Sequence, residues 1–433
     1  MQVLLPQILP RAEYSIKLIF TDILGVDIEI ITNPQKARNN CLVYGGKPVK
    51  NLPFLFADSI IQENDISAKN PQVFFWDNIP VFFASSANSI IPFDIFSATF
   101  WCASRYEEYS NFVPDKLERF TAQNSHAFRN NYLNKPIINI WANKFALELK
   151  KVFPDLKIDK PKFRYIPTID IDSLFMYKHK GFARTIGASL RDIFNGDVRN
   201  FKKRFNVLTN KDKDPWDCIN DIINLHTKQK EQLKVFILLS KYGKYDKASG
   251  IHTNYFIQQF KSLFEVTNIG IHPGMSGHSD FKIWDAEFEL FKSLFGAKAV
   301  LSRMHYLKLN LPGTYEYLLN KGIIEDYSMA YPDTPGFRAG TSTPFYFFNL
   351  KTNKQENLKL YPTAVMDVSL KNSLKFSGQE ALEYLINIYN KTKAAGGMFI
   401  SLWHNESFSG YGEWQGWDKV YYDFIKYLNN NAD

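Results

Sequence analysis

From residue 160 onward the chain alternates, seven times over, between short apolar runs and amphipathic stretches. The apolar runs are FRYIPTID, KVFILLS, VTNIGIH, AVLSRMH, IIEDYSMA, YPTAVMDVSL and GMFISLWHN. Between them lie segments with helical spacing: DCINDIINLHTKQK, TNYFIQQFKSLF, DAEFELFKSLFG, TYEYLLNKG and QEALEYLINIYNKTKAA, with a last helix after the seventh run. A parallel strand pair needs a long crossover, usually a helix, so this rhythm predicts a parallel sheet, open or closed into a barrel. In a closed barrel the functional groups gather at the carboxyl ends of the strands.

The rhythm is different before residue 160. VLLPQI, DIEIIT and NCLVYGG read as short strands, and QVFFWDNIPVFFA reads as a hairpin turning at Asp77–Asn78. AEYSIKLIFTDILG, PFDIFSATFWCASRYEEYS and KPIINIWANKFALELKKVF read as helices. This predicts a smaller α/β or α+β domain over 1–155. It is joined by the Lys- and Pro-rich segment FPDLKIDKPKF to a second domain over 160–433. Arg105, Glu107 and Glu108 read as a solvated helix face.

Charge and cysteine usage narrow the function classes. A net charge of +8 is mild for 433 residues, and the lysines are scattered rather than clustered. Nucleic-acid binding would need a stripe or patch. Cys41, Cys102 and Cys218 are odd in number and far apart, which suits a reducing compartment and leaves no CxxC pair for a thiolate zinc site. The N-terminus lacks the pattern of a signal peptide and no run reaches membrane-span length, so a soluble cytoplasmic protein is expected.

The strand-end rule brings out a set of polar residues. The first strand ends in Asp170 and Asp172, the third in His272, the fourth in Arg303 and His305, and the seventh in His404; the fifth carries Asp326 and the sixth Asp367. Of eight histidines, four (His272, His278, His305 and His404) fall at or just past a strand end. Aspartates and histidines together suit zinc or another first-row divalent metal. Such a metal lowers the pKa of bound water and polarises a carbonyl. A free carboxylate to take the water's proton, a histidine to protonate the leaving group and an arginine beside the base complete the parts for amide or ester hydrolysis.

Residues 160–433 resemble the polysaccharide deacetylases of the NodB type, the carbohydrate esterase family 4 group. TIDIDS is similar to that family's first motif, HPGMS falls where it has H-x3-H, RMHY resembles its third motif and ISLWHN its last. The resemblance implies a distorted (β/α)7 barrel and metal-dependent removal of N-acetyl groups from amino sugars. It implies Asp170 as general base, Asp172 and His272 as metal ligands, and Arg303 as the group that holds the base. The backbone near Tyr306 would be an oxyanion-hole donor, and His404 the general acid. Ser276 stands at the family's second metal histidine, leaving His278 and His305 as candidates for the third ligand. PFDIFSATFWCASRYEEYS, the stretch from SRMHYLKLNLPG to AGTSTPF, and LWHNES resemble a bacterial subgroup that adds an uncharacterised N-terminal domain.

Two further residues are candidates for substrate contact: Arg338, in the insertion YPDTPGFRAGTSTPF, and Trp403, beside His404. The reading is therefore a zinc-type hydrolase acting on a carbohydrate. The alternatives are a non-catalytic glycan-binding descendant, to which Ser276 points, and a hydrolase of small cyclic amides on the same fold.

Overall fold

The computed structural model describes residues 1–228 and 232–431. The protein is mixed α/β and divides into two compact units. The first takes in Met1–Tyr165, Leu307–Val365 and Asn387–Ile400, the second Ile166–Tyr306, Met366–Ile386 and Ser401–Asp433. Among the described residues no helix is long and apolar enough to cross a membrane. All three cysteines are buried and free.

In the first unit, four very short strands form a parallel sheet in the order Glu29–Ile31, Gln2–Leu4, Cys41–Tyr44, Phe54–Leu55. Leu4, Ile31, Cys41, Val43 and Phe54 pack as its core. The helix Ile95–Ala103 is buried along its whole length. Asp94 starts it by accepting from the N–H groups of Phe96 and Ser97, the usual N-cap arrangement. The predicted hairpin forms over Phe74–Trp76 and Ile79–Val81, with Asp77 and Asn78 left-handed as a tight hairpin turn requires. A second hairpin, Phe345–Asn349 with Lys354–Leu360, follows the predicted insertion, and Glu325–Asp326 pairs parallel to it.

Two expectations fail in this unit, for one reason. Arg105 and Glu108 are buried rather than solvated. Arg105 Nε donates to Glu108 Oε1 at 2.8 Å, and Arg338 forks onto both Glu108 oxygens at 2.8 and 2.6 Å. Burial pushes the Glu108 carboxyl up, but Arg338 and Arg105 outweigh it and lower its pKa. Arg338 is only 2% exposed and its third nitrogen, Nη1, donates to Ala330 O, so it ties the insertion to the unit and does not reach for substrate.

All seven predicted strands occur, the first shifted by one residue to Arg164–Ile171 and the other six shorter than predicted. From Leu301–Ser302 onward the larger sheet has the hydrogen-bonded order Leu301–Ser302, Asn268–Ile271, Lys234–Ile237, Arg164–Ile171, Met398–His404, Val365–Met366. The first four are mutually parallel. The crossovers are the helices Asn254–Val266 and Phe281–Phe295. The polar stretch after the first strand becomes three helices, Phe182–Phe194, Val198–Leu208 and Ile219–Leu225. Gln229 and Lys230, the end of the predicted helical stretch DCINDIINLHTKQK, lie outside the described residues.

Candidate active site

The strand Arg164–Ile171 alternates, so Thr168 and Asp170 share a face, and both are fully buried. Arg303 leaves the strand Leu301–Ser302 and closes on them. Its Nη1 donates to Asp170 Oδ1 at 2.8 Å and its Nη2 to Thr168 Oγ1 at 2.7 Å. The guanidinium lies over the Phe236 ring at 4.6 Å. Thr168 in turn donates to Ser401 O at 2.6 Å. The Asp170 carboxylate is thus fixed in place and its charge is met, while Oδ2 sits 3.7 Å from His272 Nε2.

Just past the strand end, Asp172 meets two histidines. Its Oδ1 is 3.4 Å from His272 Nε2 and its Oδ2 is 3.4 Å from His305 Nε2. One ligand atom from each residue falls within 4.8 Å of the others. Each histidine is held from behind. His272 Nδ1 lies 2.6 Å from Arg303 O, and His305 Nδ1 lies 2.8 Å from Asp246 Oδ1. A carbonyl or carboxylate only accepts, so both Nδ1 atoms carry hydrogen and the Nε2 atoms face Asp172. That is how metal-ligating histidines are oriented.

This donor set fits a divalent cation. Asp172 Oδ1 is buried with no hydrogen-bond partner, a costly state for a carboxylate oxygen. Two ligand atoms about 2.1 Å from a tetrahedral zinc are separated by about 3.4 Å; Asp172 Oδ1 lies that far from His272 Nε2 and Oδ2 that far from His305 Nε2, with one ligand atom from each residue within 4.8 Å of the others. Burial pushes the Asp172 carboxyl up, yet His305, His272 and His404 outweigh it and hold it well below the usual carboxylate range. Burial pushes His305 down, but Asp172 and Asp246, one at each ring nitrogen, raise it to about 9. Binding a cation at Nε2 would release that proton.

Ser276 takes a different part from the one its position suggests. Its Oγ and N–H donate to Asp246 Oδ2 at 2.7 and 3.1 Å, while Met275 N–H donates to Asp246 Oδ1 at 2.8 Å. The serine secures the carboxylate that orients His305. Burial opposes ionisation of Asp246, but His305 and Ser276 outweigh it and bring the pKa to about 2. His278 ends the short turn Met275–His278 with its ring edge-on to Trp284, centroids 4.7 Å apart. It is not one of the three grouped residues.

His404 and Asp367 form a second pair. Asp367 Oδ1 is 2.8 Å from His404 Nδ1, and Oδ2 accepts from His404 N–H and Ser407 Oγ, both at 2.7 Å. Among the described residues the hydrogen bonds of His404 are made by its N–H and Nδ1, not by Nε2. Burial pushes the ring down, but Asp367, with Asp172 and Asp170 beyond it, raises it to about 10. Tyr306 and Leu307 are consecutive left-handed residues with φ of 59° and 52°. Non-glycine residues in that region are uncommon and concentrate at functional sites. The Tyr306 ring lies 4.2 Å from that of His305.

Trp403 does not meet the expectation of a sugar platform. It is fully buried with its ring 4.8 Å from that of Tyr421, because neighbouring strand residues face opposite ways and His404 takes the other face. The sequence reading passed over Asp246 and gave Asp367 no role. Applying the strand-end rule to the second strand would have found the former, since Asp246 is the one acid in residues 238–250.

Residues 1–154 match the model of a family of unknown function, DUF7033. No curated protein matches the chain in sequence. Among solved structures, one from Mycobacterium smegmatis, assigned as a polysaccharide deacetylase, is 13% identical with a TM-score of 0.41, covering 64% of this chain and 86% of that one. The PuuE allantoinase is 12% identical with a TM-score of 0.38, over 62% and 85%. A further protein assigned as a polysaccharide deacetylase, from Pseudomonas aeruginosa PAO1, is 9% identical with a TM-score of 0.39, over 62% and 86%.

Proposed function

We propose that the chain is a metal-dependent hydrolase that removes an N-acetyl group from an amino sugar in a glycan or glycan precursor. In this reading residues 160–433 form a distorted (β/α)7 barrel and residues 1–155 a separate domain. The observation that carries the reading is the surroundings of Asp172. It has two histidines facing it, an arginine-held carboxylate on one side and a carboxylate-held histidine nearby.

Asp172, His272 and His305 would hold the ion, and zinc suits that donor set. When bound, it would lower the pKa of a water and polarise the acetyl carbonyl. Asp170 then accepts the proton of the attacking water, with Arg303 fixing its position. The backbone N–H groups at the left-handed turn Tyr306–Leu307 would supply the oxyanion-hole donors. His404 gives its Nε2 proton to the departing amine, and Asp367 keeps the ring in the right orientation. Water and amide are consumed; acetate and a free amine are formed.

The test is acetate release by the full chain from N-acetylated oligosaccharides, with metal content measured on the same samples. Asp170→Asn should lose at least about 100-fold in rate while keeping its zinc. Full activity in that variant would remove Asp170 from the mechanism. Absence of bound metal together with absence of turnover would favour a non-catalytic glycan binder. Turnover of cyclic amides alone would reassign the substrate class.

A further inference from the structure

The helices Phe182–Phe194 and Val198–Leu208 form a hairpin whose amphipathicity is inverted. In the first helix Phe182, Ile186, Leu190, Ile193 and Phe194 fall within about 120° of arc at 100° per residue, and every one of them is exposed. Phe182 is 83% and Phe194 85% exposed. The one buried residue of that helix is Asp192, a charged side chain. Val198 and Phe205 continue the outward apolar face on the second helix. A surface helix ordinarily turns its apolar stripe inward, and large contiguous apolar patches mark interaction sites.

The hairpin is held by polar contacts, so the outward face is not a packing accident. Arg204 donates to Asp192 at 3.0 and 2.7 Å, Asn200 donates to Asp192 at 2.9 Å, and Arg204 lies over the Tyr177 ring at 4.8 Å. The turn is made at Gly196, with φ of 69°.

Charge identifies what covers the face. Residues 181–208 carry six basic side chains (Arg184, Arg191, Arg199, Lys202, Lys203, Arg204) against Asp192 and Asp197. Arg204 is buried against Asp192, Lys203 pairs with Asp212 and Arg184 lies over the Tyr242 ring, which leaves Arg191, Arg199 and Lys202 as the exposed cations beside the face. Arg191 borders Phe194 on the helical wheel, and Lys202 borders Val198. Helices of 13 and 11 residues are too short to span a bilayer, which takes about 20. A basic rim around an apolar face instead suits a helix lying in the headgroup boundary of an anionic membrane.

We infer that the 181–208 hairpin is a membrane-surface anchor that inserts Phe182, Phe194 and their apolar neighbours into a bilayer bearing anionic phospholipid. The test is co-sedimentation of the full chain with vesicles of phosphatidylcholine alone and of phosphatidylcholine with phosphatidylglycerol. The chain should partition into the anionic vesicles, and more weakly at high salt. Phe182→Ser with Phe194→Ser should lower the partition coefficient at least about tenfold. Arg191→Glu with Lys202→Glu should do the same. Both pairs are exposed, so circular dichroism should be unchanged. The inference is overturned if the parent fails to bind anionic vesicles, or if the phenylalanine variant binds as well as the parent. It is also overturned if the parent sediments as a dimer that the phenylalanine variant breaks, because a second copy would then be the partner.

Discussion

Replacing Asp246 with asparagine changes one atom behind the candidate metal ligands and should weaken zinc binding about 10- to 100-fold. The aspartate accepts four hydrogen bonds. His305 Nδ1 and Met275 N–H meet Oδ1, and Ser276 N–H and Oγ meet Oδ2. Asparagine keeps one oxygen. If that oxygen stays with His305, the Ser276 N–H faces an NH2; if the amide flips, the His305 ring faces it. A buried donor left unmet costs about 1–3 kcal/mol. Loss of the partner that orients a ligating histidine typically costs 10- to 100-fold in affinity, or about 1.4–2.8 kcal/mol. The two estimates agree. The assay is titration of metal-free full chain with zinc against a chromophoric chelator at fixed pH. Ser276→Ala is the control; it removes only the Oγ bond and should cost about fivefold. Zinc affinity of Asp246→Asn within about threefold of the parent would refute His305 as a ligand oriented by Asp246.

Asp367→Asn should lower kcat by about 10²- to 10⁴-fold with KM little changed, because the general acid loses the partner that orients it; a fall carried by KM alone would contradict this. Gly274→Ala should destabilise the protein by about 1–3 kcal/mol in urea unfolding, since the new Cβ would lie 1.8 Å from Ser240 Oγ, inside its bond to Glu287. His226 is buried, with Nδ1 2.7 Å from Ile222 O and Nε2 2.8 Å from Tyr421 OH, and burial depresses its pKa from 6.5 to about 4. The folded state therefore favours the neutral ring, so this stabilisation is complete above pH 6.5 and is lost as pH falls towards 4, by about 3 kcal/mol in all. His226→Gln should flatten that part of the stability–pH curve, and an unchanged slope between pH 6.5 and 4 would show that another group is responsible.

The parts of this protein that were legible from sequence are those set by local pattern. Seven strands could be located because apolar runs and helical spacing alternate, and the site residues because polar side chains end those runs. The hairpin Phe345–Leu360 was not read, since its second strand, KQENLKL, is mostly polar and carries no apolar run. The short strands of the first sheet, two to four residues each, were only partly visible. Non-local pairings were hidden altogether. Nothing near Arg338 announces Glu108, 230 positions earlier. Nothing near Ser276 announces Asp246, and without that bond the serine looks like a lost ligand. Trp403 is different: strand alternation alone sets it on the face opposite His404, so its burial was readable from spacing.

The charge inventory of the site bears on what must be bound there. Asp170, Asp172, Asp246 and Asp367 stand against Arg303, and four carboxylates with one guanidinium leave a surplus of three negative charges in a buried region. Desolvating such a set costs several kcal/mol per ion, and removing one partner of a buried pair leaves the other uncompensated. Apolar residues of similar volume would stabilise the fold as well or better, so the cluster is not explained by stability. His404, protonated through neutral pH by Asp367, removes one charge of the surplus. Two remain. His305 alone, carrying a proton, removes only one of them, whereas a dication at Asp172, His272 and a neutral His305 removes both. Glu287, which feels the charges of Asp246 and His305, and Glu406, which feels that of Asp172, are each pushed up by burial to about 7, so neither adds a full negative charge at neutral pH. Any cation at Asp172 reduces that surplus, so charge balance points to a cation where each Asp172 oxygen stands 3.4 Å from a histidine nitrogen.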